Sequence, residues 1–192
     1  MAITSGIYTQ CADLVEVGGI FNIYVTDLSN LATVTPNPGA SEHDYTNLTG
    51  TVEWAMFNTK PSTASWATTS SKENGVTKWE TTVSWYVPNI TSAKSFVAEA
   101  MKNGCLVAVA TFRSGVSLTC GISVPYEGFG AGSTDWIYNQ TFGTMTIEEN
   151  SGSDFADDQG GTISIVASSF EVPRTYSGTI TPAAGNLTAA LA

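Results

Sequence analysis

Positive charge is scarce in this sequence: seven Lys and Arg stand against seventeen Asp and Glu, and histidine occurs once. The formal net charge is −10 and the isoelectric point about 4.2. A protein that grips nucleic acid neutralises phosphates with a basic patch, so this balance excludes that class. It leaves open a surface past which nucleic acid moves without adhering. Charge of either sign is also thin, at 12% of residues, about half the usual share. Cysteine is limited to Cys11, Cys105 and Cys120, an odd set without metal-ligand spacing, which excludes a disulfide framework and a zinc site. Cys105 and Cys120 lie in apolar stretches and read as small core residues. The longest apolar run, Cys105 to Ala110, is far too short to span a bilayer. Residues 1–17, MAITSGIYTQCADLVEV, show neither a basic nor an apolar signal region, so synthesis in a cytoplasm and no membrane partner are expected. Without a secretory route, the Asn-x-Ser/Thr matches at Asn47, Asn89, Asn139 and Asn186 carry no meaning.

What the chain does have is Thr, Ser and Gly around a 42% hydrophobic content, a mixture suited to strands joined by many turns. Gly19–Thr26 is rich in β-branched and aromatic residues, and Thr51–Phe57 reads as a second strand. Asn74-Gly75 supplies a hairpin turn into Val76–Val87, where Trp79, Thr81, Val83 and Trp85 share one parity, the mark of a strand with one buried face. Residues 33–50 read as a loop or arm, and Ser62–Asn74 as an exposed connection carrying Trp66. The single convincing helix is Ala93–Lys102, with Phe96, Val97, Ala100 and Met101 as its apolar stripe and Asn103-Gly104 as its stop. Strands follow at 105–112, 116–124, 141–148 and 162–167. The expectation is a mainly β protein, a β-sandwich or barrel of about eight strands with one short flanking helix. One domain spans residues 1–178, and a C-terminal tail spans 179–192.

The sharpest chemistry lies in Glu149–Gly161, which holds Glu149, Asp154, Asp157 and Asp158 beside Glu148. An EF-hand needs alternating oxygen ligands closed by a Glu at the twelfth position, and these acids are spaced three and one apart with no closing Glu. Glu148 and Glu149 are neighbours, so in a strand they face opposite sides and cannot flank one bond. His43 sits in a Pro/Gly-rich stretch with no nucleophile elbow anywhere. The glycines of Glu127–Ser133 lack the Lys of a Walker loop and a following helix. No cofactor, metal or catalytic residue is therefore expected, and no enzyme. Of five tryptophans, Trp66 and Trp136 stand in expected loops and are the candidate partner-surface aromatics.

The order of segments resembles the tail tube proteins of tailed bacteriophages and the tube proteins of contractile injection machines. The resemblance is carried by TVSWYVP (82–88), SAKSFVAEAMKNG (92–104), CLVAVATFRSG (105–115), SLTCGISVPYEG (117–128) and NSGSDFADDQGGTISIVASS (150–169), covering about residues 75–178. It implies a structural virion protein of the tail, assembled in the host cytoplasm. Homohexameric rings would stack into a tube that contacts other tail proteins and passes DNA without specific binding. Inner strands of six subunits would close a barrel. Glu148, Glu149, Asp154, Asp157 and Asp158 would lie at the lumen or between rings, and 33–50 would be an inter-ring loop. Two alternatives stand beside it: another virion β-sandwich, such as a tail terminator or capsid decoration protein, and a carbohydrate-binding or adhesive module using Trp66 and Trp136.

Overall fold

Alternating burial along the thirteen residues Val76–Pro88 sets the first layer of the fold: Thr81, Val83 and Trp85 are buried, while the residues between them reach solvent. A computed structural model describes residues 19–37, 44–50, 54–59, 62–88, 92–123, 142–150 and 160–182. The strands are β1 (Ile20–Asp27), β2 (Leu31–Pro36), β3 (Asp44–Gly50), β4 (Ala55–Asn58), β5 (Ser65–Glu73), β6 (Val76–Pro88), β7 (Leu106–Phe112), β8 (Ser117–Cys120), β9 (Thr144–Asn150), β10 (Gly160–Ser169) and β11 (Thr175–Tyr176). One helix, α1 (Ser92–Lys102), precedes β7. The protein is mainly β, as the composition implies, with eleven strands among the described residues instead of about eight.

Two sheets form. One has seven strands in the order β2-β3-β11-β8-β7-β1-β4, the other four in the order β5-β6-β10-β9. Between them lies a core of Ile23 and Val25 from β1, Ala108 and Ala110 from β7, Val83 and Trp85 from β6, and Ile163 and Ile165 from β10. A second core, with Leu31, Val34, Tyr45, Leu48, Val107 and Val109, covers the opposite face of the seven-stranded sheet. Its members come from β2 and β3 at one end of that sheet, from Tyr176 of β11 and from the central β7, so this face too is apolar and buried. Strand β7 is consequently buried from Leu106 to Ala110 without a break, which is why its sequence is a continuous apolar run and not an alternating one.

The sheets are joined at a tight corner. Leu106 and Gly143 exchange two backbone hydrogen bonds, Leu106 N–H to Gly143 O at 2.9 Å and Gly143 N–H to Leu106 O at 2.7 Å. Both Gly121 and Gly143 press on the Leu106 carbonyl. A Cβ on Gly121 would stand 2.2 Å from that oxygen, and its φ of +84° already favours glycine.

Two expectations are corrected. Residues 33–50 are not a loop or arm throughout, because the described part forms β2 and β3, which bury Val34, Tyr45 and Leu48. The apolar residues there are too sparse to show a period, and tertiary packing decides the outcome. Likewise 62–74 is not an exposed connection but chiefly β5, paired along its whole length with β6. The Asn74-Gly75 turn between them holds as expected, with φ of 49° and 82°, the positive pair that a two-residue hairpin needs. In α1 the stripe is displaced: Ala98 is buried and Val97 and Met101 half-buried, whereas Phe96 is 76% exposed and Ala100 is exposed. Asp27 locks the loop after the helix, accepting the Cys105 N–H at 3.1 Å through Oδ2 and the Ser29 N–H at 2.9 Å through Oδ1.

Candidate assembly surface

The face of the four-stranded sheet turned away from the core is a layer of hydroxyls. The register aligns Thr146 with Ser164, Ser164 with Ser84, and Ser84 with Ser65, so one row of hydroxyls crosses all four strands. Ser65 Oγ and Ser84 Oγ are 2.8 Å apart. The row before it aligns Thr144, Val166, Thr82 and Ala67, and the row after it begins with Glu148, Thr162 and Tyr86. Where the core backs this face, its charged side chains among the described residues are Glu80 and Glu148, both exposed carboxylates. The opposite parity of the same strands carries Val83, Trp85, Ile163, Ile165 and Met145 into the core. A strict period of two thus produces an apolar side and a weakly acidic, hydroxyl-rich side.

Among the described residues, both margins of this sheet are edge strands, β5 and β9. All three pairings within it are antiparallel, so β5 and β9 run in opposite directions. A β9 edge meeting the β5 edge of another copy would continue the antiparallel pattern unbroken. The β5–β6 hairpin also overreaches the sandwich. Pairing of β6 with β10 stops at Trp79↔Ser169, while β5 and β6 stay paired to Glu73↔Val76. Every residue from Thr69 to Lys78 is exposed, Val76 among them at 53%. A two-stranded ribbon with neither face covered is marginally stable in water alone.

Of the expected site residues, Glu148 stands on the outer face of β9, opposite Thr162. Glu149 is also on β9, on the other parity, and its side chain lies outside the described residues, as do Asp154, Asp157, Asp158 and Trp136. The acidic segment connects β9 to its antiparallel neighbour β10, as a turn between those strands requires. Trp66 is not in a loop. It sits on the inner side of β5, half-buried against the core, edge-on to Phe112 at 6.1 Å, with its Nε1–H donated to Thr68 Oγ1 at 3.0 Å. The hydroxyl rows were not singled out from the sequence, although their signal is present: Thr82/Ser84, Thr144/Thr146 and Thr162/Ser164 each fall at every second position.

Other reactive groups are held in structural roles. Burial between the sheets pushes the Cys120 thiol up to about 12, so it stays protonated and a poor nucleophile. Glu171 and Arg174 form a buried ion pair at 2.8 Å. Glu171 also accepts from Ser123 Oγ at 3.1 Å, and the Arg174 guanidinium stacks over Tyr45 at 5.3 Å. Together these contacts pin the link between β10 and β11 onto β3 and the chain after β8. Among the described residues, no three His, Cys, Asp or Glu side chains gather as a metal site would, and no helix is long and apolar enough to cross a membrane. These features define a mainly β, two-sheet protein whose most distinctive surface is a hydroxyl-covered sheet with β5 and β9 at its edges among the described residues. Compared with family models, with curated proteins and with solved structures, the chain gives no significant match to any.

Proposed function

We propose that this chain is a self-assembling structural subunit that forms rings stacked into a tube, of the kind found in phage tails and related injection machines. The observation that carries the reading is the four-stranded sheet with two complementary open edges, β5 and β9, and a hydroxyl-rich outer face. Open antiparallel edges are templates for pairing, and closure into a ring removes them. An interface that joins the β9 edge of one copy to the β5 edge of the next is heterologous, and such interfaces give rings when the rotation closes. The outer faces of the sheets would then line a channel whose walls carry hydroxyls and the carboxylates Glu80 and Glu148. Among the described residues this face carries one cation, Lys78 on the overreaching ribbon, so where the core backs it DNA phosphates would meet no cation with which to exchange counterions and DNA would slide without sticking. The unsupported β5–β6 ribbon would reach a neighbouring copy, where its exposed residues would be covered.

Negative-stain microscopy of the purified protein is the direct test, with rings or tubes carrying a central hole as the expected image. Deleting Ser71–Glu73 and Val76–Lys78 while keeping Asn74-Gly75 shortens the ribbon by three facing pairs and preserves its turn. This variant should fold with unchanged circular dichroism yet lose stacked tubes. A wild-type protein that stays monomeric at high concentration and across salt conditions would sink the proposal. Trp66, packed inward, lends no support to the adhesive-module alternative.

A further inference from the structure

The dipeptide Asn-Gly occurs twice, at 74–75 and at 103–104, and the fold treats the two copies in opposite ways. Asn74 and Gly75 form the tip of the β5–β6 ribbon, beyond the last facing pair, Glu73 and Val76. Both are exposed, as is every residue from Thr69 to Lys78. A Cβ built on Gly75 would have no heavy atom within 4 Å, so the tip is uncovered there. In a two-residue hairpin loop the flanking residues carry the closing hydrogen bonds, which leaves the Gly75 N–H outside the ladder.

Asn103 and Gly104 follow α1, and there the backbone is tied down. Gly104 N–H donates to Met101 O at 3.0 Å, and the next amide, Cys105 N–H, donates to Asp27 Oδ2 at 3.1 Å. A Cβ on Gly104 would stand 2.8 Å from Asp27 Oδ2 and 3.1 Å from Leu106 Cδ2, so this glycine is packed between those two residues. The side chain of Asn103 is exposed, but the nitrogen that follows it is held.

We infer that Asn74 is a site of spontaneous deamidation and that the fold spares Asn103. Asparagine amides are chemically labile, and the reaction needs the next backbone nitrogen to close on the side-chain carbon. A following glycine puts no side chain in the way. The Gly75 nitrogen attacks Asn74 Cγ and loses its proton, the Cγ–Nδ2 bond breaks, and ammonia leaves a five-membered succinimide. Solvent water then opens the ring. Attack at Cγ gives aspartate, and attack at the main-chain carbonyl gives isoaspartate, with the chain continuing through the side-chain carbon. Closure takes Asn74 out of its turn conformation, where φ is 49°, and a ribbon with neither face covered opens for this at small cost. Either product places a new carboxylate beside Glu73. Isoaspartate also lengthens the main chain by one carbon, so the two-residue loop no longer fits and the Glu73–Val76 pair is lost. This inference does not rest on the tube reading.

Incubation of the full chain in warm, mildly alkaline buffer, followed by peptide mass spectrometry, tests it. Trypsin cuts after Lys72, Lys78, Lys102 and Arg113, so peptides 73–78 and 103–113 report on both asparagines in one digest. In the folded chain 73–78 should convert to its acid and isoaspartyl forms about tenfold faster or more than 103–113, because a tied segment opens at greater cost than an uncovered one. In urea the two rates should converge. Equal rates in the folded chain overturn the inference, as does a 73–78 peptide that stays intact when folded. A gap that persists in urea overturns it too, since neighbouring residues and not the fold would then set the difference. Asn74→Gly keeps a turn that hairpins accept and should abolish the acidic species that ion exchange resolves from the aged protein; an undiminished acidic species in this variant overturns the assignment to Asn74.

Discussion

The two sheets are made by the same chain under opposite rules. The seven-stranded sheet is buried on both faces at its centre, where Leu106 to Ala110 have no solvent-facing side. The four-stranded sheet is buried on one face and shows hydroxyls on the other. In β6 and β10 alternate residues reach solvent, whereas in β7 none from Leu106 to Ala110 does. A sheet covered on both sides is a scaffold; a sheet covered on one side, with open edges, is a surface on offer. The stabilising contacts and the candidate interface are thereby separated in space.

Three substitutions, taken from largest effect to smallest, would break or sharpen that contrast. Glu171→Ala removes one partner of the buried pair that ties the link between β10 and β11 to β3, leaving Arg174 without its carboxylate. Breaking a buried pair in this way costs about 3–5 kcal/mol, so denaturant unfolding should show a large fall in midpoint; a change under about 1 kcal/mol would show that this pair does not hold the β10–β11 link. Gly121→Ala acts at the corner between the sheets, where the residue has a positive φ and the new Cβ meets the Leu106 carbonyl. A loss of about 1–3 kcal/mol is expected from the backbone conformation, with further loss from the contact, again read by denaturant unfolding. Ser84→Ala, on the hydroxyl face, should leave monomer stability within about 0.5 kcal/mol. A clear destabilisation there would mean that the hydroxyl row supports the fold instead of covering it.

Much of the four-stranded sheet is legible in the residues themselves. The parity of Trp79, Thr81, Val83 and Trp85 and the Asn74-Gly75 turn are local signals, and each sits where local chemistry puts it. The same reasoning missed β5, whose sequence Ser65–Glu73 offers Trp66 and then hydroxyls. Its partner β6 makes it a strand through backbone hydrogen bonds, which leave no mark in hydropathy. It also misplaced the helix stripe, because period alone cannot say which edge of an apolar arc touches the sandwich. Phe96 belongs to the apolar set by spacing, yet the sandwich meets Val97, Ala98 and Met101.

By itself, the sequence determined a mainly β protein with one short helix, a negative charge balance, and a buried side for each alternating strand. Those properties follow from composition and from the period of two, both of which act over a few residues. Only the tertiary structure decided that 33–36 and 44–50 pair as strands, that Trp66 faces the core, and that hydroxyls from four separate strands line up in one row. The bridge from Pro182 to Trp54 belongs with them. Each depends on partners distant in the chain, and the register between such partners is set when whole faces are buried together.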